Sequence, residues 1–142
     1  MNNRIRIVLL VNSFLFIFSG IFAQSAVKKA TKLYAKMAYD KAIPKYLSAL
    51  KKDSMNVEYS SKLADCYRFT HNPEQAERWY SKSVKAGKAK PIDIFYYAQA
   101  LMSNGKYAEA RKWLEAYKLV EPQDIRAESL IKAIDNINGY LE

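Results

Sequence analysis

The strongest constraint on this chain is that it repeats itself every 34 residues without a gap. With the segments beginning at Ala23, Val57 and Pro91 set under one another, Ala30, Ala64 and Ala98 fall in one column. Ala42, Ala76 and Ala110 fall in a second column, Tyr46, Tyr80 and Leu114 in a third, and Leu33, Tyr67 and Leu101 in a fourth. A fixed period of this length marks stacked supersecondary units rather than one closed core. No such unit can bury its apolar face alone, so three in succession are close to the minimum for stability.

Each unit divides into two amphipathic helices. In the second unit, Leu63, Ala64, Cys66 and Tyr67 share one side of the first helix, while Ala76, Trp79, Tyr80, Ser83 and Val84 recur at three- and four-residue steps along the second. Turn chemistry falls between helices. Asn72-Pro73 supplies an N-cap followed by proline at the first helical position, and Asn104-Gly105 supplies a C-terminal stop. Asp53 to Asn56, Gly87 to Pro91 and Glu121 to Asp124 punctuate the unit boundaries. Pro44 is expected in the first turn of its helix, counted from an N-cap at Asp40, where a missing N–H costs little. Ile92 to Tyr97 is rich in strand formers, but the repeat register assigns it to a helix. Small side chains at the alanine columns let paired helices approach, and Tyr46, Tyr80 and Trp113 fill the space beside them. Leu130, Ile131, Ile134, Ile137 and Leu141 give the tail the spacing of a seventh helix that covers the last unit. The expected architecture is an all-α, right-handed solenoid of three helix pairs plus a C-terminal capping helix.

The N-terminus reads as an export signal. Arg4 and Arg6 precede an apolar run from Ile7 to Phe22, and Ala23 is the small residue expected just before cleavage. The competing reading is a retained signal anchor, but a spanning helix needs about 20 apolar residues and this run is shorter and holds Asn12 and Ser13. No cysteine follows it, which argues against a lipoprotein anchor at that junction. The organisation expected is therefore a signal peptide at 1–23, repeats at 24–56, 57–90 and 91–124, and the capping helix at 125–142.

These features resemble the tetratricopeptide repeat (TPR). The third unit carries the pattern best, through Tyr97-Ala98, Leu101, Gly105, Tyr107, Ala110 and Pro122. The second departs from it at Ser60 and Lys88, and the first has Lys29 in place of a leucine, which implies a frayed or differently packed first helix. More narrowly, the strings Leu63 to Arg68 and Tyr96 to Leu101, behind an export signal, resemble the N-terminal repeat region of bacterial OmpA-family envelope proteins, some of them part of gliding and type IX secretion machinery. In those proteins the repeats precede a β-propeller-like region and a peptidoglycan-binding domain. Neither lies in this sequence, so peptidoglycan binding is not carried over. The chain reads either as a piece of such a protein or as a short relative.

Catalysis has no support in the residues present. His71 is the lone histidine and lies in a turn, where a solvated polar role is the ordinary one. Cys66 falls on the packed side of its helix, as an inert buried thiol does. No glycine-rich phosphate loop or metal-spaced cluster occurs. No catalytic, cofactor-binding or metal site is expected, and no small-molecule substrate.

Charge and the groove supply the remaining candidates. The chain carries a formal net charge of +9. Lys28, Lys32, Lys36, Lys41, Lys45 and Lys52 step along helix faces of the first unit, as a solvated face or a docking surface for anionic groups would. Nucleic acid is not an expected partner, for want of a recognition motif in an exported chain, and any membrane association would be indirect. The resemblance implies a concave surface lined by the first helix of each unit. Mapped onto this chain it holds Tyr34, then Asp65, Arg68 and Phe69, then Ile92, Phe95, Gln99 and Met102. The carboxylate clamp of chaperone-binding relatives is not expected, because Val27 and Thr31 stand at its first positions and Ile92 and Tyr96 replace its later cations. Aromatic and methionine anchors beside an Arg/Asp pair suit a short helix or extended segment. The expected function is a non-catalytic interaction scaffold of the periplasm or the periplasmic face of the outer membrane, whose partner is another envelope protein. The alternatives are charge-driven docking through the lysine-rich first repeat and self-assembly into a structural element.

Overall fold

The computed structural model describes residues 25–139, which form seven α-helices and no strand. Helix α1 spans 25–35. It is followed by α2 (Tyr39–Leu50), α3 (Val57–Phe69), α4 (Pro73–Lys85), α5 (Pro91–Ser103), α6 (Tyr107–Val120) and α7 (Ile125–Gly139). The expected signal segment lies outside the described residues. Contacts divide the chain into two compact units parted after Ser54, with α1 and α2 in the first and α3 to α7 in the second.

In both units three of the four repeat columns are buried throughout, while in the fourth Leu101 is buried and Leu33 and Tyr67 are half-buried. Ala30, Ala64 and Ala98 are completely buried, and so are Ala42, Ala76 and Ala110 to within 1 %. Beside them Tyr46, Tyr80 and Leu114 are buried to the same degree. An alanine at a helix crossing removes the side-chain bulk that would hold two backbones apart, and the adjoining large residue fills the space that remains.

The turns inside the helix pairs repeat as closely as the helices. After α1, α3 and α5 the chain passes through a left-handed residue: Met37 at φ 57°, His71 at φ 57° and Gly105 at φ 75°. Each turn closes with the same two hydrogen bonds. Ala38, Asn72 and Lys106 donate their N–H groups to the carbonyls of Leu33, Tyr67 and Leu101, and Met37, His71 and Gly105 donate theirs to Tyr34, Arg68 and Met102. This double bond pattern satisfies carbonyls that a helix end leaves orphaned. Glycine enters the left-handed region freely, whereas a residue with a Cβ is strained there.

In the first unit α1 is regular over 25–35 although Lys29 is exposed in the place of an expected leucine, and the rings of Tyr34 and Tyr39 meet edge to face at 5.5 Å. Asp40 is not the cap of α2. The preceding turn fixes the N-cap one repeat length before Asn72, at Ala38, so Asp40 falls inside the first turn and Pro44 in the helix interior. Pro44 therefore leaves the carbonyl of Asp40 without its helical donor, and both residues face solvent.

In the second unit each helix packs on the next, from α3 through to α7. The strand-forming run Ile92 to Tyr97 is helical within α5, with Pro91 as its first residue. Packing overrides propensity there: Phe95, Tyr97 and Ala98 are all buried, and Tyr97 stacks edge to face on Trp113 of α6 at 5.3 Å. Helix α7 is tied to α6 by ion pairs at its surface, Arg111 with Asp135 at 3.0 Å and Lys118 with Glu128 at 2.5 Å. At the turn between them the Tyr117 hydroxyl donates to Asp124, which also pairs with Arg126. The Arg126 guanidinium beside Asp124, and the Lys118 ammonium beside Glu128, hold both carboxyls below the ordinary carboxylate range.

Three predictions follow from this geometry. Gly105→Ala should lower stability by about 1 kcal/mol with no packing clash, since nothing lies within 4 Å of the added Cβ. His71→Gly should raise stability by a few tenths to about 1 kcal/mol, both read from urea unfolding. Acid should loosen α7. Asp124 and Glu128 hold their protons less tightly in the fold than in the unfolded chain, so falling pH protonates the unfolded chain first and withdraws their stabilisation below the ordinary carboxylate range. Amide exchange corrected for intrinsic rate should show α7 losing protection relative to α5 between about pH 6 and about pH 3.

Candidate functional site

The last turn of α3, the first turns of α4 and the C-terminal half of α5 enclose a half-open cleft of about 540 Å3, with Leu130 of α7 at its border. Its floor is small and apolar, formed by Ala76 and Ala100, with Pro73, Met102 and Leu130 around it. Polar groups at the margin are Arg68, His71, Asn72, Gln99 and Ser103, and no acidic residue lines the cleft among the described residues. Ala76 belongs to an alanine column, so the residue that lets α3 and α4 approach also leaves room at the cleft floor.

Arg68 is held on several sides. Its Nε donates to the Tyr80 hydroxyl at 3.1 Å, and one terminal nitrogen stands 3.5 Å from Oδ1 of Asp65. Its central carbon lies 4.1 Å from the centre of the Phe69 ring and 3.9 Å from that of Tyr96. A guanidinium against an aromatic face gains electrostatic attraction, more so where water is partly excluded. Behind it the Tyr80 hydroxyl donates to the buried Asp65 carboxylate at 2.5 Å. Burial, then the negative charge of Asp65, hold that hydroxyl well above the ordinary phenol range, so it remains a donor at any physiological pH.

Of the groove residues named from the sequence, the structure brings Arg68, Gln99 and Met102 together at the cleft. Asp65 is buried behind Arg68, and Phe69, 41 % exposed, flanks the guanidinium without lining the cleft. Phe95 is not an accessible anchor. It is 2 % exposed, because Tyr117 of α6 packs on its ring at 5.3 Å and the Arg126 guanidinium covers it at 4.6 Å. Ile92 is half-buried away from the cleft, and Tyr34 belongs to the first unit. The six lysines of the basic face also belong to that unit, where Lys28, Lys32, Lys36, Lys41 and Lys52 are exposed and Lys45 is half-buried.

The sequence reading missed Tyr80 and Tyr96 as the setting of Arg68, and Ala76, Ala100 and Leu130 as cleft residues. Tyr96 was visible as the residue replacing a cation, without its contact to Arg68. Leu130 carried no signal beyond the spacing of a capping helix. A smaller opening of about 400 Å3 gathers Lys62, Lys88 and Lys90 around Ser61 and Asp93. There the buried Asp93 accepts from the Ser61 hydroxyl at 2.9 Å and from the Lys90 N–H. No group of side chains able to hold a metal ion occurs among the described residues.

The fold defines an all-α helical repeat, and solved structures identify its kind. The second TPR domain of human RPAP3, in complex with an HSP70 peptide, superposes with a TM-score of 0.70 at 21% sequence identity, covering 82% of this chain and 97% of that one. The Yersinia enterocolitica type III secretion chaperone SycD, in complex with a peptide of the translocator YopD, gives 0.70 at 19% identity, covering 81% and 93%. MamA protein gives 0.78 at 21% identity, covering 84% of this chain and 66% of that chain. The chain has the TPR fold. No protein-family model matches it, and no curated protein matches it by sequence.

The Arg68 arrangement predicts a measurable cost for removing its support. Tyr80→Phe withdraws the donor from the buried Asp65 carboxylate and the acceptor from Arg68 Nε. Urea unfolding should show a loss of about 1–3 kcal/mol, with the helical circular dichroism of the native state unchanged.

Proposed function

We propose that this chain is a non-catalytic interaction scaffold that holds a segment of a partner protein in the cleft between α3, α4, α5 and α7. The observation that carries this reading is the half-open cleft itself, an apolar floor with a fixed guanidinium at its margin. A concave apolar surface with a few positioned polar groups is what a short peptide or helix requires. The solved complexes of RPAP3 and SycD, each with a peptide, show that this fold supports such binding in other proteins. The apolar run at 7–22 with Ala23 after it supports export, and the periplasm or the periplasmic face of the outer membrane as the place of work. Within that setting, an OmpA-type or secretion-associated assembly is the context the sequence strings favour.

A second reading rests on the exposed lysines of the first unit, which would dock the chain on an anionic partner by charge. The two readings separate by site. With a photo-crosslinking residue at Gln99 or at Lys41 of the full chain, expressed in its native cells, the Gln99 position should give a discrete protein adduct in the envelope fraction. That adduct should persist in moderate salt, since an apolar contact is not screened as exposed charges are. Adducts confined to Lys41 and lost in salt would overturn the cleft reading in favour of the charged one.

A further inference from the structure

The Arg68 guanidinium has one edge committed and one edge free. The committed edge carries Nε, which donates to Tyr80, and the nitrogen that faces Asp65. The Phe69 and Tyr96 rings lie against its central carbon, so rotation of the planar group would forfeit two ring contacts and a hydrogen bond together. Among the described residues its terminal nitrogens make no hydrogen bond, and the nearest carboxylate oxygen, on Asp65, already takes the Tyr80 hydroxyl at 2.5 Å. Arg68 lines the cleft, and among the described residues no acid does. A planar fork of N–H donors held at a fixed angle matches the two oxygens of a carboxylate, and pre-organisation reduces the entropy lost when the pair forms.

We infer that the free edge of Arg68 receives the carboxylate of an aspartate or glutamate side chain in the partner segment, while an apolar side chain next to it on the same segment fills the floor formed by Ala76, Ala100, Met102 and Leu130. The inference rests on the cleft reading above and adds the chemistry of its occupant. Among the described residues Arg68 is the one lysine or arginine lining the cleft, so a single side-chain carboxylate is the charge it matches. Charge complementarity selects the acid: a lysine or arginine there would meet the guanidinium, and a neutral amide would offer one acceptor where the fork addresses two.

The test is selection of displayed random dodecapeptides on the purified full chain. The expected outcome is enrichment of one acidic residue at fixed spacing from a Leu, Ile, Met or Phe. For a synthetic copy of an enriched peptide, changing its acid to the amide should weaken binding about tenfold, measured by fluorescence anisotropy. The same change should have no further effect on Arg68→Gln, and Arg68→Lys, which keeps the charge but not the fork, should recover only part of the affinity. The peptide-side change leaves the protein untouched, so it decides the matter even if Arg68→Gln is poorly folded. Peptides that need Met102, as shown by loss of binding to Met102→Ser, but ignore both their acid and Arg68 would leave the cleft reading standing and overturn this inference. An acid preference that persists undiminished in well-folded Arg68→Gln would overturn it as well. Absence of any enrichment would bring down the cleft reading and this inference together.

Discussion

Everything in this structure depends on how closely its paired helices approach, and that is set by alanines with no exposed surface. Ala64 and Ala76 lie on the two helices of one pair, Ala98 and Ala110 on the two helices of the next, and Ala30 and Ala42 on α1 and α2. Where one helix crosses another at an alanine, the separation is governed by backbone and methyl contacts, and the larger neighbours are obliged to fill what remains. That is why Tyr46, Tyr80 and Leu114 follow the alanines with the same period and are buried with them. A larger residue at any of these columns would have to push two helices apart, because a close-packed interior has no spare volume to absorb it.

The same constraint builds the site. The turn after α3 is closed by two backbone bonds, one of them from His71 to the carbonyl of Arg68. This fixes the backbone of Arg68 one residue before Phe69 and within reach of Tyr80 on the helix that returns. Tyr80 in turn occupies a repeat column, so its ring fills the space between helices while its hydroxyl bridges Asp65 and Arg68. One side chain thus does a packing task shared with Tyr46 and Leu114 and a polar task that Leu114, its equivalent in the next repeat, has no hydroxyl to perform. Leucine at position 114 shows that the packing task alone does not require a hydroxyl.

Much of the fold was legible in the sequence because the period is long, gapless and carried by buried residues. The helical state of Ile92 to Tyr97 came from register against local propensity, and the Asn72-Pro73 start and Asn104-Gly105 stop came from cap chemistry. The start of α2 was misread for a physical reason. Asp40 is a good cap by residue type, but the turn before it is specified by backbone bonds that place the cap at Ala38, which has no capping side chain. Local residue preference lost to the geometry of the whole turn. The site was legible in part. Arg68, Gln99 and Met102 follow from helix position, whereas Phe95, one turn before Gln99 on α5, is covered by Tyr117 and Arg126. The Arg126 contact comes from a helix outside the three repeats and adds to the cover given by Tyr117, so a pattern read within the repeats anticipates only part of it.

Helix α7 therefore does more than cover an apolar end. By placing Arg126 over Phe95 and Leu130 at the cleft border, it removes one aromatic from the surface and adds an aliphatic to the floor. The cleft that remains is uneven in its chemistry: one fixed cation at the margin, and a floor of alanine, methionine, proline and leucine. An apolar floor gains free energy from almost any aliphatic or aromatic side chain in rough proportion to the area covered, and so discriminates weakly among them. A positioned guanidinium with an unfilled edge rejects what cannot satisfy it, because a polar group covered without a partner costs more than the hydrogen bond it replaces. On the proposed reading, the floor would set how tightly a partner segment is held, and Arg68 would set which segments are held at all.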